Sequence, residues 1–304
     1  MPAMLEFPSV VDATMLAQWR SCHQKLMLGY IEHWKLKGDS VHLLAGAAFA
    51  RGLEVARHAY FQNGRSDVDA LAAGQQALVI AYGDFEPPEG SNKTLERMMG
   101  ALDYYFSVWP FDSDPARPHR FPSGAYGIEF SFAQPLPYKH PVSGDPIIYS
   151  GRSDMVCDFA GGLYIEDDKT ASQLGASWSK QWDLRSQFTG YCWAAAEAGM
   201  DVNGVIVRGV SILKTKYDHA EAITYRPRWQ IARWLVQVQR DLAAMERAWR
   251  EDYWDFALDH ACDEYGGCSF KQICTSPEPK AWLPMYFERR RWNPLDRTET
   301  RLED

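Results

Sequence analysis

The sequence predicts an α/β chain with helices and strands mixed: a β-sheet, a helical region before it and a cysteine-bearing tail after it. Three observations carry this. Apolar residues recur at helical spacing up to about residue 108 and again beyond residue 226. Between them, runs rich in Val, Ile, Tyr and Phe alternate with Gly and Pro turn signals. The chain has 304 residues, 46% of them hydrophobic, enough to bury a large core. The expected division is a helical N-terminal region over 1–120, a sheet-bearing core over 121–225, and a long helix with the tail over 226–304 packing back on the N-terminal region.

Leu16, Trp19, Cys22, Leu26 and Tyr30 predict a first helix over 12–30, with Asp12 or Thr14 to cap it. Further helical patterns cover 43–61, 66–82 and 95–108, the last ending in the breaker-rich Trp-Pro-Phe-Asp-Ser-Asp-Pro-Ala-Arg-Pro-His. Residues 125–132, including Glu129, read as a strand, and 146–149 lead into another that carries Asp154. The polar segment 171–181 reads as a loop, in which Trp178 and Trp182 beside Lys180 could stack on an unpaired strand. A buried helix is expected over 186–198, strands over 202–213 and 220–225, and a long amphipathic helix after Arg226-Pro227, its stripe running from Trp229 to Trp249.

A net charge of −8 argues against a protein that coats nucleic acid by bulk electrostatics, although a local groove can be basic on an acidic chain. The first residues lack a secretory pattern and no apolar run reaches the length of a membrane span, so a cytoplasmic location without membrane partners is expected. The six cysteines are then expected to be reduced, and clustered ones to be metal ligands.

Residues 151–191 organise the rest. Asp154 opens an apolar run, Gly161 and Gly162 turn the chain, and a second run ends in Glu166-Asp167-Asp168-Lys169. A hairpin over the glycines would bring Asp154 and Asp167 to one end of the sheet, where two hard oxygen ligands suit Mg²⁺ or Mn²⁺. Lys169 shares the face of Asp167 because strand side chains alternate. Gln187 and Tyr191, four apart, share a helix face. Singly, each charged residue reads as a solvated turn residue. Together, Gly-Arg-Ser-Asp154, Asp167-Asp168-Lys169-Thr170 and Gln187-Phe-Thr-Gly-Tyr191 resemble the PD-(D/E)XK nuclease superfamily in its RecB-like branch.

That resemblance implies a central mixed β-sheet of the restriction-endonuclease-like type flanked by helices, and a Mg²⁺- or Mn²⁺-dependent deoxyribonuclease. It implies Asp154, Asp167 and the backbone carbonyl of Asp168 as metal ligands, Lys169 at the attacking water, and Gln187 and Tyr191 on the substrate side. It also implies an exonuclease acting on DNA in recombination or end processing, in the style of compact phage enzymes that work in the host cytoplasm. No Walker A sequence is present, so a helicase or single-strand annealing partner would be a separate protein. The branch usually carries an upstream Gly-x-x-x-His-x-x-x-Glu helix; here Gly46-Ala-Ala-Phe-Ala50-Arg-Gly-Leu-Glu54 has alanine in the histidine's place. Glu54 is carried as an upstream ligand, with Glu129 as a weaker substitute. The missing histidine keeps open an inactive nuclease-fold module that binds DNA or assembles partners; a third reading is a zinc-stabilised interaction protein with no nucleic-acid role.

Cys262, Cys268 and Cys274 are spaced six apart in the tail, with Tyr265-Gly266-Gly267 beside the second, and Cys22 lies far upstream. This layout resembles the iron-sulfur staple of the AddB and CRISPR-adaptation branches, although those more often set the middle cysteines closer. It implies a structural [4Fe-4S] cluster, with Zn²⁺ as the alternative for four thiolates. Such a tie would contribute on the order of 5 kcal/mol on a chain-entropy basis. Cys157 and Cys192 fall in apolar runs and read as core.

Overall fold

The structure is a computed structural model and describes residues 5–38, 40–258, 260–263 and 267–302. Asp12 ends β1 (Val10–Asp12) and caps α1 (Ala13–Ser21), its carboxylate accepting the Met15 N–H at 2.8 Å. The first helix does not run on to Tyr30. It stops at Cys22, whose φ of −165° and ψ of 120° are extended, and α2 (His23–Leu26) then passes into a π-helical turn over Met27–Ile31. Leu16, Trp19 and Leu26 are buried on both sides of the break, so apolar spacing alone does not betray it.

β2 (Trp34–Leu36) is followed by three helices, α3 (Val41–Arg57), α4 (Asp67–Tyr82) and α5 (Leu95–Val108). Ser66 and Thr94 cap the latter two by accepting the N–H groups of Asp69 and Arg97. Next come β3 (Arg117–Pro118), β4 (Ile128–Lys139), β5 (Pro146–Phe159) and β6 (Gly162–Ala171). The β5–β6 hairpin turns through Ala160 and Gly161, both at positive φ. α6 (Ser186–Glu197), β7 (Val202–Ile212), β8 (Tyr217–Tyr225) and α7 (Arg228–Glu251) follow, then α8 (Lys271–Cys274), α9 (Pro279–Tyr286), β9 (Phe287–Asn293) and β10 (Thr298–Arg301).

The chain packs as two units, and each is assembled from separated segments. The first comprises Met1–Gly38, Phe132–Gly151 and Ala232–Asp304. In it β1 runs parallel to the first half of β5, and β2, β9 and β10 form a small antiparallel sheet. α7 turns Trp234, Val238, Leu242, Met245 and Trp249 inward, while Trp229, expected to open that stripe, is 62% exposed. Arg20 on α1 pairs with Asp241 on α7 at 2.7 Å, and the Trp234 ring meets Tyr149 of β5 edge-on at 5.3 Å.

The second unit comprises Asp39–Ser131 and Arg152–Ile231. Its sheet is mixed: the second half of β5 is antiparallel to β3 and β6, β6 is parallel to β7, and β7 is antiparallel to β8. β7 is buried along nearly its whole length, as an inner strand covered on both faces must be. α3, α4 and α5 build an apolar cluster on one face with Phe49, Leu53, Leu78, Met98, Leu102 and Tyr105 at its centre. Gly74 lets α4 close on α3, since a Cβ there would stand 2.7 Å from the Gly52 carbonyl. The fold is thus mixed α/β, a central mixed sheet flanked by helices.

Candidate active site

β6 sorts its side chains by alternation: Glu166, Asp168 and Thr170 to one face, Asp167 and Lys169 to the other. The β5–β6 ladder runs from Phe159↔Gly162 to Met155↔Glu166 and ends there. The next pair in register is Asp154 with Asp167. Beyond the ladder, the Asp154 carboxylate accepts the backbone N–H of Asp168 at 2.7 Å. Lys169 is ion-paired to the buried Asp167. From α6, Gln187 reaches Asp167 at 3.5 Å and donates to the Tyr191 hydroxyl at 2.9 Å. Asp154, Asp167, Lys169, Gln187 and Tyr191 therefore meet on one face, with the backbone of Asp168 between them.

The electrostatics follow from burial and crowding. The Asp154 carboxyl is pushed well above the usual carboxylate range by burial, then by the charges of Asp167 and Asp168, against the pull of Lys169. Asp167 is raised by burial despite Lys169. Burial would lower the Lys169 amine, but Asp167 and Asp154 outweigh it and hold the ammonium. Two neighbouring acids that repel one another are a setting that a hard divalent cation relieves. Among the described residues no group of three or more His, Cys, Asp or Glu side chains is arranged to hold a metal. Mg²⁺ does not demand one, because it is commonly bound through one or two carboxylates with water and substrate phosphate completing its shell. The donor set of Asp154, Asp167 and the Asp168 carbonyl fits such an ion.

The opposite face of β6 carries a buried ionic network that sequence reasoning missed. Arg57 on α3 donates to Asp168 at 2.8 Å and to Glu166 at 2.6 Å. The Tyr105 hydroxyl on α5 donates to Asp168 at 2.8 Å. Arg208 on β7 reaches Glu166 at 3.1 Å, Glu221 at 3.0 Å and both oxygens of Asp114 at 2.6 and 2.7 Å. Glu166, buried and raised to about 7 against the pull of Arg208 and Arg57, sits at the middle. The one available signal was Arg208 itself, a charge inside the otherwise apolar run Val-Ile-Val-Arg-Gly-Val.

Glu54 is engaged within α3. It pairs with Arg51 on its own helix at 2.6 Å and is not among the principal charges acting on Asp154 or Asp167. Glu129, at a positive φ of 55° and ion-paired with Arg152, does act on Asp154. Trp178 and Trp182 are no base-stacking platform: both are buried, edge to face, with Trp178 closing over Gly209.

In the first unit, Cys22, Cys262, Cys268 and Cys274 are all half-buried and none forms a disulfide. The Cys268 N–H donates to the Cys262 carbonyl at 2.9 Å. Burial, then the neighbouring Cys22, Cys268 and Cys262, push the Cys274 thiol up to about 11. Among the described residues, these cysteines are not arranged as a group that could hold a metal. Tyr265 and Gly266 lie outside the described residues. Cys157 and Cys192 are buried in the core.

A helix-flanked mixed sheet that collects two acids and a lysine on one face has the restriction-endonuclease-like arrangement. The family model of the PD-(D/E)XK nuclease superfamily matches residues 13–275, and the chain belongs to that superfamily. Among solved structures, a candidate exonuclease from Eubacterium rectale is 11% identical, with 84% of this chain and 86% of that one covered and a TM-score of 0.48. The protein SSO0001 is also 11% identical, with 77% and 79% covered and a TM-score of 0.29. No curated protein matches the chain. Among the described residues no helix is long and apolar enough to cross a membrane.

Proposed function

We propose that this chain is a divalent-metal-dependent deoxyribonuclease of the RecB-like branch, an exonuclease acting in recombination or DNA end processing. The observation that carries the reading is the meeting of Asp154, Asp167 and Lys169 on one sheet face, with the two acids held above their ordinary range. Asp154, Asp167 and the Asp168 carbonyl would hold Mg²⁺ or Mn²⁺. Such an ion supplies an activated water and charge neutralisation on the phosphate. Lys169, kept charged by its acid neighbours, acts as a hydrogen-bond donor to the attacking water or a phosphate oxygen. Gln187 steadies Asp167 and orients the Tyr191 hydroxyl toward substrate.

The test uses end-labelled linear duplex and covalently closed circular DNA, each with and without Mn²⁺. Wild type should degrade the linear form only when the ion is present. Asp154→Asn and Lys169→Ala should each lose at least about a hundredfold in rate, in line with removal of a charge-stabilising group, with unchanged circular dichroism. Wild-type cleavage by either folded variant would sink the assignment. Cleavage of the circle would replace the exonuclease by an endonuclease. A second reading, a nuclease fold kept for DNA binding, is favoured by Ala50 in the histidine's place and by the engagement of Glu54 with Arg51. It predicts DNA binding without cleavage.

We further propose that Cys22, Cys262, Cys268 and Cys274 hold a structural [4Fe-4S] cluster, supported by the influence of Cys22, Cys268 and Cys262 on the Cys274 thiol. Iron and acid-labile sulfide at four each per chain would bear this out. One zinc per chain and no iron would put Zn²⁺ there instead.

A further inference from the structure

One buried cation of the second unit has no part in the chemistry above. Lys93, between α4 and α5, is only 8% exposed. Its backbone is fixed on both sides: the N–H donates to Ser91 Oγ at 3.2 Å and the carbonyl accepts the Tyr82 hydroxyl at 2.7 Å. The ammonium is thereby set 3.2 Å from the hydroxyl of Thr170, the residue after Lys169. Arg57 and Arg208, the other buried cations beside β6, each meet two or more carboxylates. Among the described residues Lys93 meets none: burial is the influence resolved on it, and it pushes the amine below the ordinary lysine range. A desolvated charge of this kind is costly unless an anion answers it.

The surroundings suit an anion. α5 begins two residues later, so the positive end of its dipole stands beside Lys93. Arg97, in the first turn of α5, donates to the carbonyls of Leu213 and Lys216 at 2.7 and 2.9 Å. It thereby pins the exposed turn that bears Lys214 and Lys216 next to that helix start. Glu96, the acid of the same turn, is exposed. Gly46 of α3 presents no side chain to Thr170; a Cβ there would stand 4.0 Å from the Thr170 hydroxyl. A glycine inside a helix costs about 1 kcal/mol relative to alanine, and here it leaves room next to that hydroxyl.

We propose that Lys93 and the Thr170 hydroxyl form a phosphate-binding subsite that grips a DNA backbone phosphate neighbouring the one that is cleaved. This rests on the nuclease reading. Lys169 and Thr170 are consecutive, their Cα atoms about 3.8 Å apart, and they point to opposite faces of β6. A strand crossing the end of β6 therefore meets Lys169 and then Lys93, with Lys214 and Lys216 beyond. With one ammonium proton donated to the Thr170 oxygen at 3.2 Å, the subsite supplies up to two ammonium donors and one hydroxyl donor to non-bridging phosphate oxygens.

The test is equilibrium binding of a labelled duplex to the full chain without divalent ions, across a salt series from about 50 to 200 mM. Lys93→Met should weaken binding about tenfold irrespective of sequence and lower the slope of log affinity against log salt by about one. Lys93→Arg should keep the slope, and Thr170→Val should weaken binding a few-fold at unchanged slope. Wild-type affinity and slope in a folded Lys93→Met chain would overturn the subsite. Should that variant not fold, Lys93→Gln and Thr170→Val decide: weakened binding in both supports the subsite, and wild-type binding in both overturns it. Cleavage is scored separately. Binding without cleavage removes the nuclease reading while the salt slope still judges Lys93, and no binding by wild type even at about 50 mM salt removes both.

Discussion

Once ionised, Asp154 and Asp167 weigh against the folded state, because burial raises both carboxyls. A carboxyl raised above its unfolded value, 3.8 for Asp, binds its proton more tightly in the folded chain. Its contribution to stability is therefore complete below that value and is lost as pH rises through the higher, folded one. In metal-free buffer the melting temperature should fall from about pH 4 upward, and less steeply in Asp154→Asn. At pH above neutral, Mn²⁺ should raise the melting temperature of wild type and not of the variant. Scanning fluorimetry checks both, and equal responses would show that the pair does not govern the effect. That Asp154, Asp167 and Lys169 would share a face was legible from strand alternation and the Gly-Gly turn, and the Gln187–Tyr191 pairing from helical spacing. Arg57 was not, because its partners Glu166 and Asp168 lie 109 and 111 residues away and no local period reports them.

At the scale of elements, β6 works as a two-sided strip. One side bears the acids and lysine, and the other is bolted to α3 and α5 through Arg57 and Tyr105. Removing one member of a buried ion pair leaves the other uncompensated, at about 3–5 kcal/mol, so Arg57→Ala should lower unfolding free energy by that order. Tyr105→Phe deletes a hydroxyl that serves Asp168 and should cost about 1–3 kcal/mol. Urea denaturation measures both, and losses under about 0.5 kcal/mol, the range of neutral surface changes, would remove the network from the account. Element boundaries were well read where a cap marks them, as with Ser66 and Thr94. They were misread at Cys22, where burial continues through a backbone break, and at Trp229, which is apolar and yet faces water. Trp178 and Trp182 fell in a polar stretch, so nothing in their neighbours announced that they would be buried.

At the scale of the molecule, the first unit draws its N-terminal helix and its tail together, and Cys22 on the one and Cys262, Cys268 and Cys274 on the other all belong to it. If they carry a cluster, Cys22→Ser should lower the melting temperature of the loaded chain by several degrees, since a few kcal/mol shifts a domain of this size by about 2–4 °C per kcal/mol. It should also release iron, whereas an exposed serine-to-alanine change at Ser113 should do neither. A Cys22→Ser chain as stable and as iron-rich as wild type would exclude Cys22 from the tie. How the chain divides was not legible from composition. The breaker-rich segment after Val108 marks the end of a helix, but α3 to α5 belong with the sheet that follows, and the segments before Gly38 belong with the tail.

This interleaving bears on the order in which the protein takes shape during synthesis. Every segment of the sheet-bearing unit has left the ribosome once Ile231 has emerged, whereas the unit that contains the very first helix must wait for the stretch that begins at Ala232. Of the two units, the one whose earliest segment precedes the other's is therefore completed after it.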